Sequence, residues 1–460
     1  MATPDHTPRG RGYESALGYF SHKNDYWSDV SLQTECSDAH KLTLKDLWRD
    51  DGPAREEVAA GGYEEEVFLK EALRVLDAHS TRADEQPLLL FYSAHVAHCP
   101  LQVPEPKLRE FAALTRGTDE ARCAAQTAHV FPGSTAADLA CRAQYSAMAN
   151  ILDDTVGAIV DKLKAAGMWE DTLLVLSGDN GGPLILEESG ATNWPLRGGK
   201  YTPWEGGVRA AAFVSGGAIP AGVRGTPVEV PIHAADWYAT LCALAGVDPA
   251  DARAAESGLP PVDGVDQWEA LTTTPLASAQ EVARGMTLSE GRVEAASARA
   301  SAAAARRVLS QVAGDRVGCS SDEMLLASLA ASREIPLDAD SLLVGDLKLI
   351  NATEVKFAVV APKSFPNSTS KEVRNIARAC AAKGGCLYDV AADPSEGDDI
   401  AEAHPHTVAA MMDRLASARA GFYSNDETGV DDCPGDTGGL PCACWTAVHR
   451  YGGFMGPYQK

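Results

Sequence analysis

Four side chains in this 460-residue sequence have types and settings that could do chemistry together: His98, Asp179, Asn180 and Lys200. Asp179 and Asn180 stand side by side in "SGDNGG". They offer a carboxylate and an amide oxygen, the hard donors that calcium and magnesium take. Gly181 and Gly182 let the backbone turn tightly and approach a ligand. An Asx-type turn between strand and loop is the other account of the same letters. Lys200 lies in "NWPLRGGKYTPWEGGVRAAAF", framed by glycines and by Trp194 and Trp204. So rigid a frame would present a fixed positive charge to an oxyanion. A surface lysine beside a tryptophan anchor is the competing account. His98, in "SAHVAHCP", can donate a hydrogen bond to an anion or a proton to a leaving oxygen, or cap a loop carbonyl. His95 has the weaker claim, and His233 reads as a structural hydrogen bonder near a helix start.

These residues need elements to hold them. "PLLLFYSAH" (Pro87 to His95) reads as a buried strand ending in a loop. "YSAMANILDDTVGAIVDKLKAAGMW" has helical spacing, with Met148, Ile151, Leu152, Val156, Ile159, Val160 and Leu163 on one face and Gly167 as the stop. "TLLVLSGDNGG" is a second apolar strand running into a glycine-rich turn, and "VRAAAFVSG" a third. Strand, helix, strand with continuous apolar strands predicts an α/β fold, a mostly parallel sheet with helices on both faces. Ligands then bind beyond the carboxyl ends of the strands, where His98 and Asp179 stand. "VEVPIHAADWYATLCALAGV" predicts a short extended piece and a helix with Asp236 as its N-cap. An alanine-rich, low-complexity stretch follows, and then strands and a helix of a smaller C-terminal α+β domain. The expected division is 1–277, 278–340 as insertion or linker, and 341–460.

A net charge of −24 repels phosphates and argues against nucleic-acid binding. No run of about eighteen apolar residues is present to span a membrane. The polar start lacks the apolar core of a signal peptide. None of the eleven cysteines forms a C-x-x-C pair, which removes zinc ribbons and thioredoxin-like motifs. The cysteines gathered after residue 379 hint at disulfides, and N-x-[ST] sequons at Asn351 and Asn367 point the same way, to a glycoprotein.

"LSGDNGG" followed by "NWPLRGGKYTPWEGGVR" resembles the sulfatase family, with the nearest likeness in its arylsulfatase B (N-acetylgalactosamine-4-sulfatase) branch. "HVAHCPLQVP", "PVDGVDQW" and "CLYDVAADPSEGDDIA" resemble further landmarks of that family. The resemblance implies an alkaline-phosphatase-like fold with a smaller C-terminal domain, and hydrolysis of sulfate esters at a calcium site. It implies that Asp179 and Asn180 bind the metal, and that Lys200 and His98 contact the sulfate of a sulfated small molecule or glycan, with Trp194 and Trp204 fixing the loop. Trp194 is expected to be a buried anchor. A complete member would be secretory, lysosomal or extracellular. The sequence departs from the family in lacking C-x-P-x-R, whose cysteine becomes the formylglycine nucleophile. It also lacks the paired metal-binding aspartates and the K-x-H motif, so the family domain is expected to be N-terminally incomplete here. The alternatives are an inactive sulfatase-like binding protein and another hydrolase of the superfamily, such as a phosphodiesterase.

Overall fold

The computed structural model describes residues 3–21, 24–32, 36, 40–82, 86–115, 141–183, 190–273, 321–330, 332–356, 358, 360, 377–422 and 431–459. The chain forms two compact units, one of Met1–Trp169, Glu187–Gly190 and Ser424–Lys460, the other of Glu170–Leu186 and Ala191–Tyr423.

In the first unit, short strands β1 (Leu17–Gly18), β2 (Trp48–Arg49) and β3 (Gly52–Pro53) form an antiparallel sheet in the order β1-β2-β3. The helix Glu64–Ser80 buries Phe68, Ala72 and Leu76 at helical spacing. The expected helix is present as Cys141–Ala165, with Met148 and Leu163 buried. Gly167, at φ 70°, ends it, because that backbone conformation favours glycine. The chain's last residues pack here too. A Cys36–Cys444 disulfide ties the helix Cys442–His449 to the N-terminal segment, and Cys433–Cys442 closes the neighbouring loop. The segment Pro87 to His95 departs from its expected burial. Leu89 and Phe91 are 61% and 73% exposed, and among the described residues the segment joins no ladder. Its alternating exposure keeps the period of a strand all the same.

In the second unit, β4 (Leu174–Ser177) and β5 (Ala212–Ser215) pair from Leu174↔Ser215 to Ser177↔Ala212. This corrects one expectation: the pair is antiparallel, and so is every ladder between named strands among the described residues. Parallel neighbours need a crossover connection, usually a helix, to bring the chain back. After β4 the chain instead loops through the tryptophan-lysine segment and re-enters beside it, with the Gly178 amide donating to the Ala211 carbonyl. The strands are also less buried than their apolar letters suggest.

A four-stranded antiparallel sheet follows in the order β11-β8-β7-β6, from β6 (Glu334–Asp338), β7 (Ser341–Val344), β8 (Leu347–Ile350) and β11 (Cys386–Asp389). Beside it, β9 (Val355–Lys356) pairs with β10 (Ala377–Arg378). Gly345, at φ 59°, sits in the tight turn between β7 and β8. One face of the sheet packs Leu342, Leu347, Leu349 and Leu387 against Met411 and Leu415 of the helix Pro405–Ala420 and Leu329 of the helix Ser321–Ala330. This is the expected α+β arrangement. Ser321–Ala330 and Glu334–Asp338, both inside the stretch grouped with the linker, form that helix and β6. The alanine-rich part at 278–320 lies outside the described residues, as does Asn367, and the three-part division stays a proposal. Cys380 and Cys386 form a disulfide.

Asp236 does a different job from the one expected. The helix Asp236–Leu244 has Ala235 at its N-cap with no side-chain cap. The fully buried Asp236 carboxylate instead takes both Arg333 nitrogens at 2.5 Å and the amides of His233 and Val265 at 2.8 and 3.0 Å. His233 is structural, as read. Burial pushes the Asp236 carboxyl up, but the Arg333 guanidinium and the backbone donors outweigh it and hold the group below its ordinary value. A depressed carboxyl contributes stability above its unfolded value, about 3.9, and loses it as pH falls through the folded value. Arg333→Ala is therefore expected to cost about 3 kcal/mol at pH 7, because a buried carboxylate is left without its cation. Denaturation from pH 7 downward should show wild type and variant converging in acid. A constant gap would assign the loss to packing.

Candidate active site

The Asp179 turn is built by glycines and locked to the Lys200 loop. β4 delivers the chain to Gly178, and Asp179 stands exposed just beyond the strand end. The Gly181 amide donates to the Gly207 carbonyl at 3.0 Å. A Cβ on Gly181 would lie 1.7 Å from the Gly206 carbonyl oxygen, so only glycine lets the two backbones meet. Gly182 donates to Asn193 Oδ1 at 2.8 Å, and Asn193 Nδ2 donates to the carbonyls of Gly182 and Gly198 at 2.7 and 3.0 Å. The Lys200 amide donates to the Gly182 carbonyl at 3.3 Å. Asn193 thus acts as a peptide-like bridge between turn and loop, a role the sequence reading missed. The asparagine's place at the head of the tryptophan-lysine segment was the available signal.

The loop is anchored at its other side by residues far away in sequence. Arg197 donates through Nε to the Ser395 carbonyl at 3.0 Å and through Nη1 to the Ala358 carbonyl at 2.7 Å. Trp204 is fully buried, meets Tyr388 edge-on at 5.7 Å and donates from Nε1 to the Lys356 carbonyl at 3.2 Å. Trp194 is 44% exposed, which corrects the expectation that it is a buried anchor. The difference lies in the partners: Trp204 has the sheet's apolar face to pack on, with Ile335, Leu343 and Ile350. The Lys200 ammonium lies 5.5 Å over the Tyr201 ring, which is itself 70% exposed.

In the second unit the structure therefore locks the turn that carries Asp179 and Asn180 to the loop that carries Lys200, through backbone and Asn193 hydrogen bonds. His98 belongs to the first unit. There the Tyr26 hydroxyl reaches the His95 and His98 carbonyls at 2.9 and 3.0 Å, and His98 Nδ1 lies 2.8 Å from the Cys99 carbonyl. A carbonyl can only accept, so that contact needs Nδ1 to carry the proton. His95 is buried, stacks on Tyr26 at 4.0 Å between ring centroids and bonds through Nδ1 to the buried Glu64 at 2.5 Å. Its structural role agrees with the weaker claim it was given.

Asp179 and Asn180 suit a hard cation in kind but not in number. Calcium takes about six to eight oxygens. Among the described residues, the group of three whose ligand atoms converge is Asp431, Cys433 and Cys442, and those cysteines are joined in a disulfide. The residues present do not complete a calcium shell, and no step below passes through a metal. No helix among the described residues is long and apolar enough to cross a membrane.

Comparison with known proteins bears on what this assembly serves. The chain is 27% identical over 269 residues to arylsulfatase J of Mus musculus, an alignment covering 58% of this chain and 38% of that protein. It is 27% identical over 191 residues to N-acetylgalactosamine-6-sulfatase of Homo sapiens, covering 41% of this chain and 30% of that one. It thus spans about a third of the length of these relatives. Among solved structures, Ps i-CgsB superposes with a TM-score of 0.55 at 18% identity, covering 91% of this chain and 68% of that one. The same protein in complex with k-i-k-neocarrahexaose gives 0.53. At that identity the likeness supports the α/β, alkaline-phosphatase-like fold. Residues 2–247, which hold the Asp179 turn, the Lys200 loop and His98, match the Sulfatase family description, and the chain belongs to the sulfatase family.

Proposed function

We propose that this chain carries the sulfate-binding side of a sulfuric ester hydrolase acting on sulfated sugars or aryl sulfates. The observation that carries this reading is the Lys200 loop locked backbone-to-backbone onto the Asp179 turn at the end of β4. A backbone mounted in this way fixes the point from which the Lys200 side chain reaches out and so narrows where its charge can stand before a ligand arrives, which favours oxyanion recognition. Lys200 contacts the sulfate, and Asp179 and Asn180 supply two of the oxygens for a calcium ion; a sulfate contact for His98, in the first unit, rests on the family resemblance alone. The arylsulfatase B likeness is part of the proposal, supported by the tryptophan-lysine segment.

The 460 residues contain no C-x-P-x-R, so no residue here can become the formylglycine nucleophile. The polypeptide itself is therefore a binder, and hydrolysis requires that motif to be supplied. Co-expressed with a formylglycine-generating enzyme, it should show no turnover of a generic aryl sulfate. Turnover abolished by Asp179→Ala and Lys200→Ala would overturn the binder reading. Binding is tested by melting curves in sulfate and in chloride at matched ionic strength. Sulfate should stabilise the wild type. Lys200→Ala should change stability by less than about 0.5 kcal/mol and lose that protection. A Lys200→Ala protein that keeps all of the protection, or a wild type with none, would sink the sulfate reading.

A further inference from the structure

We infer that Lys348, on the inner strand β8 of the C-terminal sheet, sets where Lys200 stands by clamping the tryptophan-lysine loop through a buried cluster with Glu205 and Glu396, whose charge the exposed Arg209 balances. The inference rests on the reading of Lys200 as the sulfate ligand, and it makes Lys348 a positioning residue, not a catalytic one.

The strand Leu347–Ile350 reads as core: Leu347, Leu349 and Ile350 are fully buried. A lysine in its middle, also fully buried, contradicts the pattern around it. Burying a charge is costly unless it is paired and hydrogen-bonded, so such a residue needs a reason. The alternation of β8 supplies the place. Leu347 and Leu349 face the helix Pro405–Ala420, while Lys348 faces the side of Trp204, in register with Leu343 on β7 and Tyr388 on β11.

The ammonium has three N–H donors, and three acceptors meet it. They are Glu205 Oε1 at 2.6 Å, Glu396 Oε1 at 2.9 Å and the Pro203 carbonyl at 2.9 Å. Two of these three acceptors belong to the loop itself. Glu396 completes the clamp by accepting the Glu205 amide at Oε2, 2.7 Å away, so one carboxylate holds both the lysine and the loop backbone. Arg209 Nη1 lies 3.6 Å from Glu205 Oε2 and brings the second positive charge. Two cations then balance two carboxylates. From Glu205 the loop continues directly into Gly206 and Gly207, the residues that touch the Asp179 turn. Lys348 is thus connected on one side to a rigid sheet and on the other, through five residues of chain, to Lys200. A hydrophobic residue could fill the space but could not hold Pro203 and Glu205 at fixed points.

The test uses the full chain and separates positioning from packing. Lys348→Met removes one charge of the cluster. Lys348→Met combined with Glu396→Leu removes one of each sign and leaves Glu205 with the exposed Arg209, 3.6 Å away. Replacing a buried ion pair by apolar residues is often neutral for stability. The double variant is expected to melt near the wild type, while the amides of Glu205, Gly206 and Lys200 exchange with deuterium at least tenfold faster and the sulfate-specific rise in Tm is lost. Wild-type exchange at those amides in a folded double variant would overturn the inference. A second measurement needs no variant: native-state exchange of the wild type in rising denaturant. The clamp requires the Glu205 and Gly206 amides to open together with those of Leu347–Ile350. Loop amides that exchange freely while the strand stays protected would overturn it. If the wild type shows no sulfate-specific stabilisation, the sulfate reading fails, and the amide exchange still decides whether Lys348 holds the loop.

Discussion

Trp204→Ala is expected to destabilise the second unit by about 3–5 kcal/mol, the range for removing a large buried aromatic. Trp204 has no exposed surface and joins Ile335, Leu343, Ile350, Tyr388 and Cys380 in one apolar cluster. Its removal would leave a cavity facing the sheet and take a donor from the Lys356 carbonyl. The Arg197 guanidinium, 5.4 Å from the Trp204 ring centroid, would lose its stacking partner too. Trp194→Ala in the same loop is expected to cost far less, because that ring is 44% exposed. Chemical denaturation of the two variants side by side checks the contrast. Equal losses would mean that Trp194 carries a packing role its exposure does not suggest.

Gly181→Val is expected to cost on the order of 4 kcal/mol or more, in the tail of the distribution for single substitutions. The obstacle is backbone, not a flexible side chain: an added Cβ would stand 1.7 Å from the Gly206 carbonyl oxygen and 2.8 Å from its carbon. Relief requires the turn and the loop to separate, which breaks the Gly181 to Gly207 hydrogen bond and shifts Lys200 relative to Asp179. Gly222 is a fair control, since nothing lies within 4 Å of a Cβ built there. The melting temperature of Gly181→Val should fall well below that of Gly222→Ala. A Gly181→Val protein that melts like the wild type would show that turn and loop need not touch.

The sequence by itself determined the local elements and the composition of the assembly. The periodicity from Tyr145 to Leu163, with Gly167 after it, is a helix and its stop, because side chains three and four apart must share a face whatever the helix packs on. "SGDNGG" is a strand end and turn, because four apolar residues followed by glycines leave little else. The tryptophan-lysine segment named the loop, since its residue types are too unusual for a chance surface stretch. What a one-dimensional pattern could not carry was direction and partnership. Continuous apolar letters fit a parallel or an antiparallel neighbour equally, and only the path of the loop made β4 and β5 antiparallel. Trp194 and Trp204 are the same letter ten positions apart. Burial fell to Trp204 because the sheet lies on its side. Asp236 looked like a cap until Arg333, 97 residues later, took its carboxylate. Lys348 looked like one polar residue in an apolar strand. Its partners at Pro203 and Glu205 lie about 145 residues back in the chain, and contacts at that separation are fixed by how the sheet meets the loop, which no local spacing records.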